Sequence, residues 1–180
     1  MRVIMDKAEL KLYEIDSESG LKEYIGANNG IIVGNNVQVK NNFYIIECIA
    51  NNVKRMIGIL NEGHGIIPTV AKLKKSDILI VASDKSLYIL DLKVNAEFKN
   101  IISDSLIFDL IVRENEEKIV VICELGIQCM TITGDKVWNY DSDIISDFSL
   151  YEDYVKVTIE GVDYDISLVN GEVISSQLQI

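Results

Sequence analysis

Apolar and polar positions alternate along most of this chain in short runs, each closed by Gly, Asn or Asp. The clearest stretch is KIVVICELGIQCMTITGDKVW, residues 118–138. It opens on the apolar run 119–123 and turns at Leu125-Gly126. It resumes with Ile127-Gln128-Cys129-Met130-Thr131-Ile132, turns again at Gly134-Asp135 and continues into Val137-Trp138. Period-two alternation between tight turns predicts three antiparallel strands in a meander.

The same pattern recurs on either side. Residues 3–15 read as one or two strands and 17–20 as a turn. Residues 21–25 fit one turn of helix or a short strand equally well. Asn28-Asn29-Gly30 is a turn of residues that tolerate left-handed backbone. Strands are expected at 31–33, 37–39, 43–50 and 53–60, with turns at 34–36, 41–42 and 51–52. A loop at 62–65 precedes Pro68, the single proline. Further strands are expected at 69–73, 78–82, 86–92 and 98–102, then at 106–112 before the acidic turn 114–117. After the meander come 144–150, 154–159, 162–169 and 172–174, with Asn170-Gly171 as a strong hairpin signal.

Comparable turns fall at Asn51-Asn52, Asp84-Lys85, Leu125-Gly126 and Glu160-Gly161, at intervals of 33, 41 and 35 residues. Such a period, with three or four short strands per unit, marks the blades of a propeller. The expected fold is therefore all-β: antiparallel meander sheets stacked as a partial, half β-propeller. One domain, 1–180, is expected, with about four blade-like units from 30 to 180 and N-terminal strands at 3–25 packing on them. A β-sandwich or an open barrel is the alternative. In an open stack the end units need cover, from the N-terminal strands, a second copy or a partner. Gly134-Asp135-Lys136-Val137-Trp138 resembles the end of a quinoprotein-type propeller repeat, and Asn170-Gly171-Glu172-Val173-Ile174 is similar to the same position in a later unit. The glycine after Asp135 is missing, and Asp91-Leu92-Lys93-Val94 carries none. The resemblance thus implies a blade-like strand order and no cofactor site.

Composition narrows the function classes. A chain of 180 residues can bury a core without disulfides or metal. The net charge is −11, and it is uneven: residues 1–100 hold 13 Lys and Arg against 12 Asp and Glu, residues 101–180 hold 4 against 16. Such a surface repels phosphate backbones, so nucleic acid is not the expected partner, whereas a basic protein is attracted. Acidity that serves solubility alone is the plainer alternative. Three cysteines in apolar runs, without CxxC, suit reduced buried thiols and a cytoplasmic setting, although Cys123 and Cys129 on facing strands can be neighbours. The first residues interleave charge with apolar positions, unlike a signal peptide, and no apolar run approaches ~18 residues, so no membrane span is expected.

Catalytic patterns are absent. No phosphate-binding, dinucleotide, nucleophile-elbow or zinc-protease motif occurs. His64, the single histidine, sits in Glu62-Gly63-His64-Gly65 and reads as an exposed loop residue. Asp141-x-Asp143 begins like a calcium loop but continues with Ile144-Ile145, so no metal is expected. No enzyme and no cofactor are expected. What remains is an acidic, tyrosine-bearing stretch: Tyr140, Asp141, Asp143, Asp147, Glu152, Asp153 and Tyr154. It reads either as a solvated surface or as a contact surface for a basic partner, since tyrosine with matched charge is typical of interfaces. Asp163-Tyr164-Asp165, on a strand, points both carboxylates to one face and Tyr164 to the other.

In size, acidity, Asn/Ile/Lys-rich composition and half-propeller pattern the chain resembles small acidic bacterial immunity proteins of the contact-dependent growth inhibition type. That resemblance implies a toxin inhibitor. It would cover the active site of a cognate cationic toxin, a nuclease domain, with carboxylates standing in for nucleic-acid phosphates and no chemistry of its own. A propeller-like scaffold that binds proteins or peptides is the alternative.

Overall fold

The computed structural model describes residues 1–34, 38–50, 52–93 and 98–178. It contains 17 strands and one α-helix among those residues: β1 (Arg2–Lys7), β2 (Leu10–Ile15), α1 (Glu18–Ala27), β3 (Ile31–Val33), β4 (Asn42–Ala50), β5 (Val53–Asn61), β6 (Thr69–Lys72), β7 (Ile78–Ser83), β8 (Ser86–Asp91), β9 (Phe98–Ile102), β10 (Ile107–Arg113), β11 (Lys118–Cys123), β12 (Gly126–Thr131), β13 (Lys136–Asp141), β14 (Ile145–Leu150), β15 (Tyr154–Ile159), β16 (Val162–Ser167) and β17 (Val173–Leu178). They form four sheets, in the orders β1-β2-β4-β5-β3, β6-β7-β8-β9, β10-β11-β12-β13 and β14-β15-β16-β17. Contacts group the chain into two compact units, 1–100 and 101–180, each holding two sheets, with the division inside β9.

In the first unit, β4 and β5 form the long central hairpin, and the face bearing Tyr44, Ile46, Cys48, Ile57 and Ile59 packs on Leu79, Val81, Tyr88 and Leu90 of the second sheet. The opposite face, with Ile45, Met56 and Leu60, is covered by Leu21 and Ile25 of α1. Those two residues are four apart and so share one helix face. Ser17 caps the helix, its Oγ accepting from the Gly20 N–H at 3.1 Å. The stretch 17–20, expected as a turn, is therefore the cap and first turn of this helix, and the open choice for 21–25 resolves to helix. Gly58 sits beneath it: a Cβ there would come within 3.0 Å of Ile25 and 3.2 Å of Leu21, so the bare position lets the helix lie close on the sheet. A buried polar cluster ties the two sheets together. Asn61 Nδ2 donates to Ser83 Oγ and to Asp84 Oδ1, both at 3.0 Å, and the Glu62 N–H donates to Asp84 Oδ2 at 2.9 Å. Burial pushes the Asp84 carboxyl above the usual range, against the opposing pull of that N–H.

In the second unit the two sheets repeat one another down to their irregularities. Each first strand is bulged at the same place, between Ile107 and Asp109 in β10 and between Ile145 and Asp147 in β14. In both, the aspartate Oδ1 accepts from the next residue's N–H, at 2.8 Å for Leu110 and 2.9 Å for Phe148. Between the sheets lie Val120, Ile122, Ile127 and Cys129 on one side and Val155, Val157, Ile159 and Ile166 on the other. Trp138 completes this contact. Its indole Nε1 donates to the Val169 carbonyl at 3.1 Å, and its ring lies against Gly171. The two sequence positions matched to one repeat motif thus touch each other.

Most expected strands are present, and the strand at 172–174 extends to Leu178. Three differences matter. Residues 35–37 lie outside the described set, with most of the expected turn at 34–36 and the start of the strand at 37–39; Gln38 and Val39 form a bend, not a strand. Asn51 and Val94 also lie outside it. The N-terminal strands do not pack on a separate blade but join the first sheet, β2 pairing with β4. Finally β3 pairs with β5 in parallel, an exception to the antiparallel pairing of its neighbours in that sheet, because α1 carries the chain back across the sheet before β3 begins.

Candidate functional surface

Register decides which side of the final sheet each residue meets. Val155↔Ile166, Val157↔Tyr164 and Ile159↔Val162 pair on the inner side; Tyr154↔Ser167, Lys156↔Asp165 and Thr158↔Asp163 pair on the outer. The neighbouring strands extend the outer rows, with Asp147 and Ser149 from β14 and Ser175 and Gln177 from β17. The outer face is thus polar across all four strands. It is held by side-chain bonds: Thr158 Oγ1 donates to Asp163 Oδ1 at 2.7 Å, Ser175 Oγ donates to Asp165 Oδ2 at 2.6 Å, and Lys156 Nζ lies 3.5 Å from Asp165 Oδ1. The Asp165 charge beside it raises the Lys156 pKa. Such a face is fit for water or a polar partner, not for a further apolar sheet.

At one end of the face the β14–β15 turn carries Glu152 and Asp153, both exposed. Tyr151 and Tyr154 flank them with rings stacked at 4.4 Å between centroids and 8° between planes. Arg113 Nη1 donates to the Glu152 carbonyl at 3.0 Å and fixes the turn from the preceding sheet. Five carboxylates, of Asp147, Glu152, Asp153, Asp163 and Asp165, therefore lie on or beside this face with two cations, the Lys156 ammonium and, at the turn, the Arg113 guanidinium.

The residues singled out in the sequence do not all share this surface. Asp147, Glu152, Asp153 and Tyr154 do. Tyr140 packs on the core between the two sheets, where burial, and then Tyr164 nearby, raises its phenol pKa. Asp141 ends β13, with its Oδ1 accepting from Asn139 Nδ2 at 2.6 Å, and Asp143 lies in the loop before β14. A strand length of roughly 20 Å separates that end of β14 from Glu152. Asp163 and Asp165 belong to the surface, as their alternation with Tyr164 indicates. Tyr151 also belongs, and its signal was its place beside the acidic turn.

The other candidates are accounted for locally. His64 Nε2 lies 2.7 Å from Glu62 Oε2, an exposed pair within its own loop. The three cysteines are free and buried. Cys123 and Cys129 are not opposite one another, because Cys123 pairs with Gly126 and Cys129 with Val120. Burial pushes the Cys48 thiol up to about 11. Among the described residues, no group of three or more His, Cys, Asp or Glu is placed to hold a metal ion, and no helix is long and apolar enough to cross a membrane.

No protein-family model and no curated protein matches the chain. Solved structures do. It is similar to Kuenenia stuttgartiensis hydrazine synthase at 12% identity and a TM-score of 0.53, over 74% of this chain and 43% of that one. It is similar to the AfRom2 CNH domain at 9% identity and a TM-score of 0.51, over 78% and 48%. This chain thus matches less than half the length of either. The likeness is one of fold alone: all-β, four sheets, of β-propeller type.

Proposed function

We propose that the protein works by contact, its last sheet presenting the outer face to a basic protein partner. The observation that carries this reading is the composition of that face, five carboxylates and a stacked tyrosine pair against two cations, Lys156 and, at the turn, Arg113. Carboxylates fixed on a rigid sheet steer a cationic partner in, and the tyrosines add contact area at low entropic cost. The resemblance to small acidic immunity proteins sharpens the proposal: the partner is a cationic toxin nuclease, and the acids occupy the groove that its nucleic acid would fill. No bond is made or broken in this account. A scaffold that binds a peptide by an apolar groove is the alternative reading.

Ionic strength separates the two. Co-purification from the native cell with mass spectrometry identifies the partner, and stopped-flow mixing then gives the association rate. The rate is expected to fall about tenfold or more between 20 and 300 mM NaCl, since steering is screened. Glu152→Lys with Asp153→Lys is expected to slow association further than Asp141→Lys with Asp143→Lys, which lie off the face. A rate independent of salt and of both double reversals removes the electrostatic reading and favours the scaffold.

A further inference from the structure

Beside β5, where α1 ends, lies a cavity of about 410 Å³. Asn28 to Ile31 form one wall, the strand run from Val53 to Ile57 another, and Leu92 a third. The volume is that of a small-molecule site. Its origin is the short edge strand. β3 pairs with β5 only at Ile57, Gly58 and Ile59, so β3 leaves the edge of β5 before Ile57 uncovered.

Two cations border the cavity. The Lys54 ammonium is engaged, 2.8 Å from Glu47 Oε2. Arg55 is not. Its Nε is buried with no hydrogen-bond acceptor, and it takes part in none of the ion pairs found among the described residues. A buried donor without an acceptor is costly, and a guanidinium cannot shed its charge to relieve that cost. The rest of the wall combines apolar Ile31, Val53, Met56, Ile57 and Leu92 with the polar turn Asn28-Asn29-Gly30.

We infer that this cavity binds a small monocarboxylate with an apolar body, its carboxylate taken by Arg55 and its body lying along Ile31, Val53 and Leu92. The planar guanidinium fork matches a carboxylate with two parallel hydrogen bonds. One unpaired cation balances one negative charge, whereas a phosphate dianion would be left half compensated. The site lies wholly within residues 28–92 and does not rest on the docking role of the last sheet.

Octanoate, 1-octanol and inorganic phosphate separate the charge from the body. In methyl NMR spectra of the full chain, octanoate is expected to shift the Ile31 and Met56 signals saturably. Its affinity is expected to exceed that of 1-octanol at least about tenfold, with phosphate weaker than both. Arg55→Met keeps the stem and removes the charge, and is expected to weaken octanoate binding at least about tenfold. Arg55→Lys keeps the charge without the fork and covers the case in which the first variant does not fold; it is expected to bind several-fold more weakly. The proposal is overturned if octanoate leaves those methyl signals unmoved. It is equally overturned if octanol or phosphate binds as tightly, or if every folded variant binds octanoate as the natural chain does.

Discussion

Gly171 shows how much one missing side chain can decide. Its φ is +76°, a backbone region that L side chains avoid, and a Cβ there would come within 2.5 Å of the Trp138 ring. Gly171→Ala is expected to cost about 1–3 kcal/mol, read as a lowered urea midpoint. An unchanged midpoint would mean that the Trp138 contact is loose. Cys48 offers a second test at this scale. It is fully buried, and its thiol pKa lies at about 11 in the folded chain against an ordinary 9.0. As pH rises, the unfolded chain loses this proton first. The contribution is therefore constant below about pH 9 and is lost between about 9 and 11, by on the order of 2 kcal/mol. Urea midpoints at pH 8 and 10.5 should diverge less in Cys48→Ala than in the natural chain. An equal fall in both would assign the pH effect elsewhere.

Among the elements, α1 matters most for its size. A sheet with two apolar faces needs cover on both, and in the first sheet the second sheet supplies one and α1 the other. Leu21 is fully buried in that role. Leu21→Ala is expected to destabilise by about 2–5 kcal/mol in chemical denaturation. Leu21→Asp is expected to expose the sheet and drive self-association, visible by light scattering. A monomeric Leu21→Asp protein of natural stability would show that the face needs no cover. The last sheet solves the same problem differently. Its outer side is polar, so it needs no helix and no second copy. One sheet is thus covered by a helix and another carries polar rows that meet water.

For the whole molecule, charge is the governing quantity. Net −11 over 180 residues, concentrated after residue 100, opposes compaction through self-repulsion. Adding 0.5 M NaCl is expected to raise the melting temperature by a few degrees, because surface repulsion is screened over about 10 Å or less. A melting temperature that falls with salt would mean that ion pairs such as Lys54–Glu47 and Lys72–Glu9 dominate instead. The same excess of negative charge is what the proposed partner would meet.

The hairpins and the meander period were legible in the sequence because each rests on a local signal, period-two alternation closed by residues that turn. The helix was half legible: the Ser17 cap and the Leu21–Ile25 spacing are local, but their preference for helix is decided by the apolar face they cover. The parallel placement of β3 was not legible, since it depends on where α1 returns the chain. The acidic stretch was legible as a composition and not as a surface. Only register and packing decide that Tyr140 turns inward, that Asp141 and Asp143 sit a strand length from Glu152, and that Asp163 and Asp165 share the outer face. The sequence by itself determined the strands and the sign of the charge, because both are carried by neighbours along the chain. The tertiary structure alone decided which charges stand together, because that is set by pairing between residues far apart in sequence.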